Sequence, residues 1–347
     1  MKIGDFDLNQ EVLVVAEIGN CHEGSLSLAE DLMGLAAKAG AGAVKFQTIV
    51  PEKLVSSVDK DRIEQLKKFR LTHEQFERLH KLAQKEKVLF LSTPFDVESV
   101  RFLEPLVPAF KIASGDNNFF PLIDTIVKTR KPIILSSGLT DLDEIKLTVD
   151  HIKKMWARDG ICQDLAVLHC VVNYPTELKD ANLKAIEALK TLDVTVGYSD
   201  HTIGMEAAVL AVCLGARIVE KHFTVNKNHS SFRDHQMAAD PKEMAELVAR
   251  IKQVQIALGD GTKRVMDCEK ENRLKVRRSI AAGRDLKKGC RIQEQDLTWV
   301  RPGHGWSPGE EKQLVGRVLA HDLKEGEIIL ESDVENRVPV SSAKHER

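Results

Sequence analysis

The chain has 347 residues, with 50 Lys and Arg against 52 Asp and Glu and a formal net charge of -2. That balance excludes a general field for nucleic acid or an anionic membrane, so any anionic ligand must be met by local cations. The length predicts one large domain and a small one, and no apolar run approaches the roughly 20 residues of a membrane helix.

Six cysteines (Cys21, Cys162, Cys170, Cys213, Cys268 and Cys290) are scattered without a CxxC pair, and no apolar leader follows Met1. Reduced thiols and a cytoplasmic location are therefore expected. The first ten residues read as a polar opening. EVLVVAEIG then predicts a strand ending near Glu17 and Gly19, and NCHEGS a polar loop. Helical spacing over 26–40 stops at a Gly, and AVKFQT is the next strand, carrying Lys45 and Gln47. The segment between Thr48 and Thr72 reads as a short loop. Thr72 and Gln75 form a capping-box pattern that opens a helix to about Lys87, and VLFLSTPF is a third strand.

The unit then repeats. Strands AFKIASGD, PIILSSG and LAVLHC alternate with helices near 97–106, 121–130, 142–158 and 181–192. The stretch 196–224, VGYSDHTIGMEAAVLAVCLGARIVEKHFT, delivers His201 and His222 from two strands on either side of one helix. Parallel neighbours would bring both imidazoles to the same end, where they could share a divalent ion. A His after a strand is also commonly just a hydrogen-bonded loop residue.

Eight strands, each followed by a helix, predict an α/β fold, a (β/α)8 TIM barrel over 1–260. The competing open doubly wound sheet would normally carry a GxGxxG turn, which the chain lacks. Polar residues stand at nearly every strand end: Glu17, Lys45, Thr93, Lys111 with Ser114, Ser136 with Ser137, His169, His201 and His222. One such residue could be a solvated rim position, but so consistent a rim predicts an enzyme. Residues 261–278 read as a charged linker and 279–337 as a small domain, in which DLKKGCRIQEQDL is echoed by DLKEGEIILESDV around a loop bearing Arg301; 338–347 is a tail.

Taken together, AEIGNCHEG, VKFQT, FLSTPFD, FKIASGD, PIILSSG, LHCVVNYP, GYSDHT, EKHFT and VRPGHG resemble the successive motifs of the sialic acid synthase (N-acetylneuraminate synthase) family, in order over nearly the whole chain. The resemblance implies a barrel joined to an antifreeze-like (SAF) domain. It also implies a transferase that condenses phosphoenolpyruvate with an N-acetylmannosamine-like sugar, releasing phosphate. By residue matching, His201 and His222 are the metal ligands, usually for manganese, with magnesium an alternative. Lys45, Thr93, Lys111, Ser114, Ser136 and Ser199 match phosphoenolpyruvate contacts, and Glu23, Tyr174 and Asp234 match sugar contacts. Arg301 matches an arginine supplied by the partner's small domain, so a domain-swapped homodimer is expected. Glu23 or Asp116 would handle the attacking water.

Departures gather on the sugar side more than the phosphate side: Cys21 with Asn20 displaced by one, Asp116 where Glu is common, the short segment after Thr48, and His304 and Trp306 beside Arg301, while Val172 stands where a polar residue would help hold phosphoenolpyruvate unless Asn173 replaces it. They leave the acceptor sugar open. Two other readings stand beside the synthase: a Schiff-base aldolase, motivated by two strand-end lysines, and a catalytically silent sugar-binding homologue.

Overall fold

The structure, a computed structural model, describes residues 1–335; the tail 338–347 and the last two residues of the span 279–337 lie outside the described residues. The described residues form two compact units, Met1–Asp260 and a second that starts at Gly261.

The first unit opens with a hairpin of β1 (Lys2–Ile3) and β2 (Phe6–Asp7). Eight parallel strands follow: β3 (Leu13–Gly19), β4 (Ala43–Thr48), β5 (Leu89–Pro94), β6 (Phe110–Ile112), β7 (Ile133–Ser136), β8 (Leu165–Cys170), β9 (Thr195–Asp200) and β10 (Ile218–His222). They pair in the order β5-β4-β3-β10-β9-β8-β7-β6, and β5 and β6 lie side by side without a ladder. This is the predicted (β/α)8 barrel.

The helices begin with α1 (Leu26–Lys38), capped by Ser25. Between Thr48 and Thr72 the short loop expected from sequence is instead two helices, α2 (Pro51–Leu54) and α3 (Lys60–Phe69). The second is a charged helix that buries only Ile63 and Leu66. The Thr72–Gln75 capping box forms and starts α4 (His73–Glu86). Next come α5 (Val97–Leu103), α6 (Phe120–Lys128), α7 (Leu142–Arg158), α8 (Ala185–Lys190), α9 (Glu206–Cys213), the short α10 (Arg233–Met237) and α11 (Pro241–Leu258).

Alternation along the strands sorts the side chains into two faces. Leu13, Val15, Ala43, Leu91, Ile134, Ala166, Leu168 and Ile218 fill the inside of the barrel toward the strands' N-terminal ends, together with Ile3 and Leu8. The opening ten residues, expected only as a polar lead-in, thus plug the barrel floor with two apolar side chains. Gly197 is needed inside: a Cβ there would meet Leu168 Cδ2 at 2.3 Å and Ile218 O at 2.6 Å. The next inward positions toward the C-terminal ends are no longer apolar, and they line the cavity described below. The opposite face, with Val14, Phe46, Phe90, Phe110, Ile112 and Val167, packs against the helices. Each such side chain contributes about 1.5–3 kcal/mol of burial.

The second unit begins with the helix α12 (Lys270–Val276) and holds the antiparallel pair β11 (Ser279–Ala282) and β12 (Leu297–Val300), then α13 (Glu311–Leu314). The sequence echo appears as reciprocal pairing. Leu286 and Leu323 bridge. Lys287 reaches Asp322 at 2.7 Å, and Lys324 reaches Asp285 at 2.7 Å. Trp306, one of the departures noted above, packs against this unit's apolar core.

Candidate active site

A cavity of about 940 Å³ opens at the C-terminal ends of the strands. Its floor is a layer of inward side chains: Glu17, Lys45 and Gln47, Thr93, Lys111, Ser136, Cys170, Ser199, Glu220 and His222. Lys45 is 4% exposed and lies 2.7 Å from Glu17 Oε2 and 3.7 Å from Glu220 Oε2, with its Nζ donating to Thr93 Oγ1 at 3.3 Å. Lys111 Nζ donates to Ser136 Oγ at 2.7 Å and lies 3.7 Å from Glu220 Oε1. Ser199 Oγ donates to that same carboxylate at 3.0 Å, and Gln47 Nε2 donates to Glu17 at 2.9 Å.

Two ammonium groups and two carboxylates therefore share one buried space, and each titrates in the field of the others. Burial works against the Lys45 ammonium, but Glu17 and Glu220 outweigh it and hold its pKa above the ordinary value. Lys111 goes the other way, lowered by burial and by Lys45 in spite of Glu220. Glu17 is raised by burial and by Glu220, against the pull of Lys45. In Glu220 burial is outweighed by Lys111 and Lys45, which lower its pKa.

His201 and His222 stand together at the cavity wall, ring centroids 5.5 Å apart. His201 Nδ1 lies 2.7 Å from the Val171 carbonyl, so it donates there and leaves Nε2 a free lone pair. His222 Nδ1 is buried without a hydrogen-bond partner. Burial lowers the pKa of both rings, that of His222 far below the usual value, so both are neutral. Two neutral imidazoles, one with an orphaned buried nitrogen, fit a divalent cation. Among the described residues no group of three or more His, Cys, Asp or Glu is arranged to hold an ion. The two histidines would fill only part of a coordination shell and leave the rest to water and substrate oxygens, as in an open catalytic site.

The outer wall comes from loops. Glu23, in the left-handed region at φ 47°, receives hydrogen bonds from the Ser230 hydroxyl and from His235, whose Nε2 lies 3.1 Å away. His235 is fully buried, and its Nδ1 lies 2.6 Å from Thr224 Oγ1. Gly24 has φ +80°, and a Cβ there would strike the Lys68 carbonyl at 2.0 Å, so this glycine lets the Glu23 loop seat against α3. Tyr174 packs on His201 at 4.3 Å between centroids and lies under the Arg233 guanidinium. Phe69 meets Phe232 at 5.1 Å, tying α3 to the loop after β10.

Of the residues singled out from sequence, Glu23, Lys45, Thr93, Lys111, Ser114, Ser136, Tyr174, Ser199, His201, His222 and Asp234 all line this one cavity. Asp116 is not among its lining. It sits in the turn after β6, half-buried, with Oδ2 unpartnered and a pKa raised by burial to about 6. Arg301 belongs to the second unit, where it is exposed. Two rim residues face away from the cavity. His169 is one position out of phase with Cys170 and hydrogen-bonds the Ala181 carbonyl at 2.8 Å, and Ser137 donates to the Leu168 carbonyl. Val172 is on the cavity wall, while Asn173 turns its amide to the Pro175 carbonyl and does not replace it. Asn20 reaches the wall and donates to Gln47.

Sequence reasoning missed Glu220, although a charge two positions before His222 inside an apolar strand shares that histidine's face. It also missed Arg62, Gln65 and Phe69 of α3 and Arg233 beyond β10, all on the cavity wall.

Residues 32–263 match the NeuB family and residues 277–335 the SAF domain. The chain is 39% identical to the N,N'-diacetyllegionaminic acid synthase of Campylobacter jejuni, over 93% of this chain and 100% of that protein. It is 31% identical to the N-acetylneuraminate-9-phosphate synthase of Homo sapiens, over 93% and 92%. The crystal structure of the N-acetylneuraminic acid synthetase of Leptospira borgpetersenii in complex with citrate superposes with a TM-score of 0.74 at 34% identity, covering 78% of this chain and 94% of that one.

Proposed function

The chain belongs to the NeuB family, and from that membership we propose that it is a nonulosonic acid synthase condensing phosphoenolpyruvate with an N-acetylated mannosamine-type sugar. The observation that carries the reading is the cavity floor: two lysines and three hydroxyls converge on one buried space beside two neutral imidazoles. A near-neutral protein must gather donors in this way to hold a small trianion.

In this reading Lys45 and Lys111, with Thr93, Ser114, Ser136 and Ser199, hold the phosphate and carboxylate. They keep the enol phosphate's methylene carbon turned to the outer wall. Glu23, Tyr174 and Asp234 orient the open-chain acceptor there. A divalent ion, manganese or magnesium, held by His201 and His222 would polarise the acceptor's aldehyde oxygen. The π pair of the methylene carbon forms the new carbon–carbon bond, and the aldehyde oxygen takes up a proton. Water adds at the former enol carbon and gives up a proton. Glu23, on the cavity wall, is better sited for that proton than Asp116, which is not. The carbon–oxygen bond to phosphate then breaks, its electron pair leaving with the phosphate, while the added hydroxyl closes to the ketone and passes its proton to the departing phosphate, whose charge the two ammonium groups stabilise.

The family resemblance further supports a homodimer in which Arg301 of one chain serves the other's cavity. Sedimentation equilibrium of the full chain tests this, and a monomer contradicts it. No helix among the described residues is long and apolar enough to cross a membrane, and a cytoplasmic location belongs to the same proposal.

Phosphoenolpyruvate labelled with ¹⁸O in its bridging oxygen tests the reaction. The label is expected in the released phosphate, and its retention in the organic product overturns the mechanism. Borohydride in the presence of pyruvate is expected to trap nothing on the protein; an adduct on Lys45 or Lys111 would instead establish the aldolase.

A further inference from the structure

On the outer side of the strands that carry the two histidines lies a buried ion pair. Asp200 precedes His201 and Lys221 precedes His222, so alternation turns both away from the cavity, and neither lines it. They are register partners on β9 and β10. Lys221 Nζ lies 2.8 Å from Asp200 Oδ2 and also donates to the Thr202 carbonyl. The other oxygen, Asp200 Oδ1, accepts from Thr202 N at 2.8 Å. Both side chains are at most 3% exposed.

These bonds enclose a single residue. The Asp200 carboxylate spans from one side of His201 to the amide of Thr202, and Lys221 joins both ends of that span to the strand bearing His222. The β-ladder ends at Lys221 and Asp200, and these bonds add a further tie between the two histidine backbones. The histidine carbonyls are held elsewhere, His201 O by Thr176 N at 2.9 Å and His222 O by Ala239 N at 2.8 Å.

We propose that the Lys221–Asp200 pair is a positioning clamp that sets the spacing of His201 and His222, and thereby the affinity of the two-histidine site for a divalent cation. The inference rests on the metal reading given above. An ammonium is suited to the task because one nitrogen can bond a carboxylate and a backbone carbonyl together, and a buried pair so satisfied has one geometry. Partners that orient metal ligands from outside the coordination shell typically change affinity by roughly 10–100-fold when removed. Lys221 does not line the active-site cavity, so its effect passes through the histidines.

Equilibrium binding of Mn²⁺ to the full-length protein, followed by the electron paramagnetic resonance signal of the free ion, tests the clamp. Lys221→Met is expected to weaken binding about 10–100-fold, with far- and near-ultraviolet circular dichroism unchanged. Lys221→Arg, which keeps the charge and the donors, is expected to restore most of the loss. Should Lys221→Met fail to fold because Asp200 is left unpaired, the double variant Asp200→Asn with Lys221→Met leaves no unpaired buried charge at this position and is expected to show the same loss. A folded variant that binds Mn²⁺ as tightly as the native protein overturns the clamp alone. Absence of Mn²⁺ binding by the native protein overturns the two-histidine reading, and the clamp with it.

Discussion

Glu220 Oε1 lies 3.7 Å from Lys111 Nζ. The other oxygen of the same carboxylate is equally far from Lys45 Nζ. One acidic side chain thus favours the charged form of two buried ammonium groups, for Lys45 together with Glu17, while burial holds the pKa of Lys111 below its ordinary value. Removing the negative charge in Glu220→Gln should depress Lys111 further. Activity that needs the Lys111 ammonium is lost as pH rises through its pKa, so the alkaline limb of kcat/KM should move toward acid by about 1–3 pH units. A pH–rate profile with phosphoenolpyruvate varied checks this, and an unmoved limb contradicts it.

Glu17 shares the same space with its pKa raised by burial. A ligand bringing negative charge to Lys45 and Lys111 raises any nearby carboxyl further, and it also raises Lys111. Both effects have one sign, so binding of phosphoenolpyruvate near neutral pH is expected to take up a proton. Calorimetry in buffers of different ionisation enthalpy measures the count. Glu17→Gln should reduce it, and proton release by the native protein would contradict this electrostatic picture.

The legibility of this floor in the sequence followed the strand period. Lys45, Thr93, Lys111, Ser136 and Ser199 stand at inward positions of predicted strands, and the barrel itself followed from eight apolar runs separated by helices. His169 stands at a strand end but out of phase with the inward positions, and the same phase places Glu220 inward. The β1–β2 hairpin was invisible because its strands are two residues each, too short for a periodic signal. Helix α3 was hidden by its own composition, since KDRIEQLKKF buries only Ile63 and Leu66 and reads as a charged loop. Its cavity-facing residues depend on contacts with the loop after β10 that no local pattern encodes.

Asp116 is half-buried, with one oxygen lacking a partner and a pKa raised to about 6. Its folded pKa lies above the unfolded value, so the neutral acid is favoured by folding. The associated stability is fully present below about pH 4 and is lost as pH rises through 6. Asp116→Asn should therefore stabilise the protein by about 1–2 kcal/mol at pH 7.5, after allowance for solvent screening, and raise Tm by roughly 2–4 °C. The gain should vanish toward pH 4, as thermal melts across this range will show. Equal Tm at pH 7.5 contradicts the assignment.

Phe69 of α3 meets Phe232 at 5.1 Å across the outer wall of the cavity. Such a pair contributes about 0.5–1.5 kcal/mol beyond burial. If the outer wall receives the acceptor, Phe69→Ala should raise the acceptor's KM roughly 2–12-fold, the same energy expressed as a ratio, and leave the KM of phosphoenolpyruvate unchanged. An effect on phosphoenolpyruvate alone would assign the two ends of the cavity the other way round.

In this cavity phosphoenolpyruvate is joined to an amino sugar. The direct measurement is phosphate release from phosphoenolpyruvate with manganese present, across a panel of N-acetylmannosamine, diacetamido-trideoxy hexoses and unmodified mannose. Release is expected to depend on an N-acetylated acceptor, to yield one condensed product per phosphate, and to fall at least a hundredfold, about 2.7 kcal/mol in activation free energy, in His222→Ala. Failure of every acceptor, or phosphate release that proceeds equally without one, would contradict it.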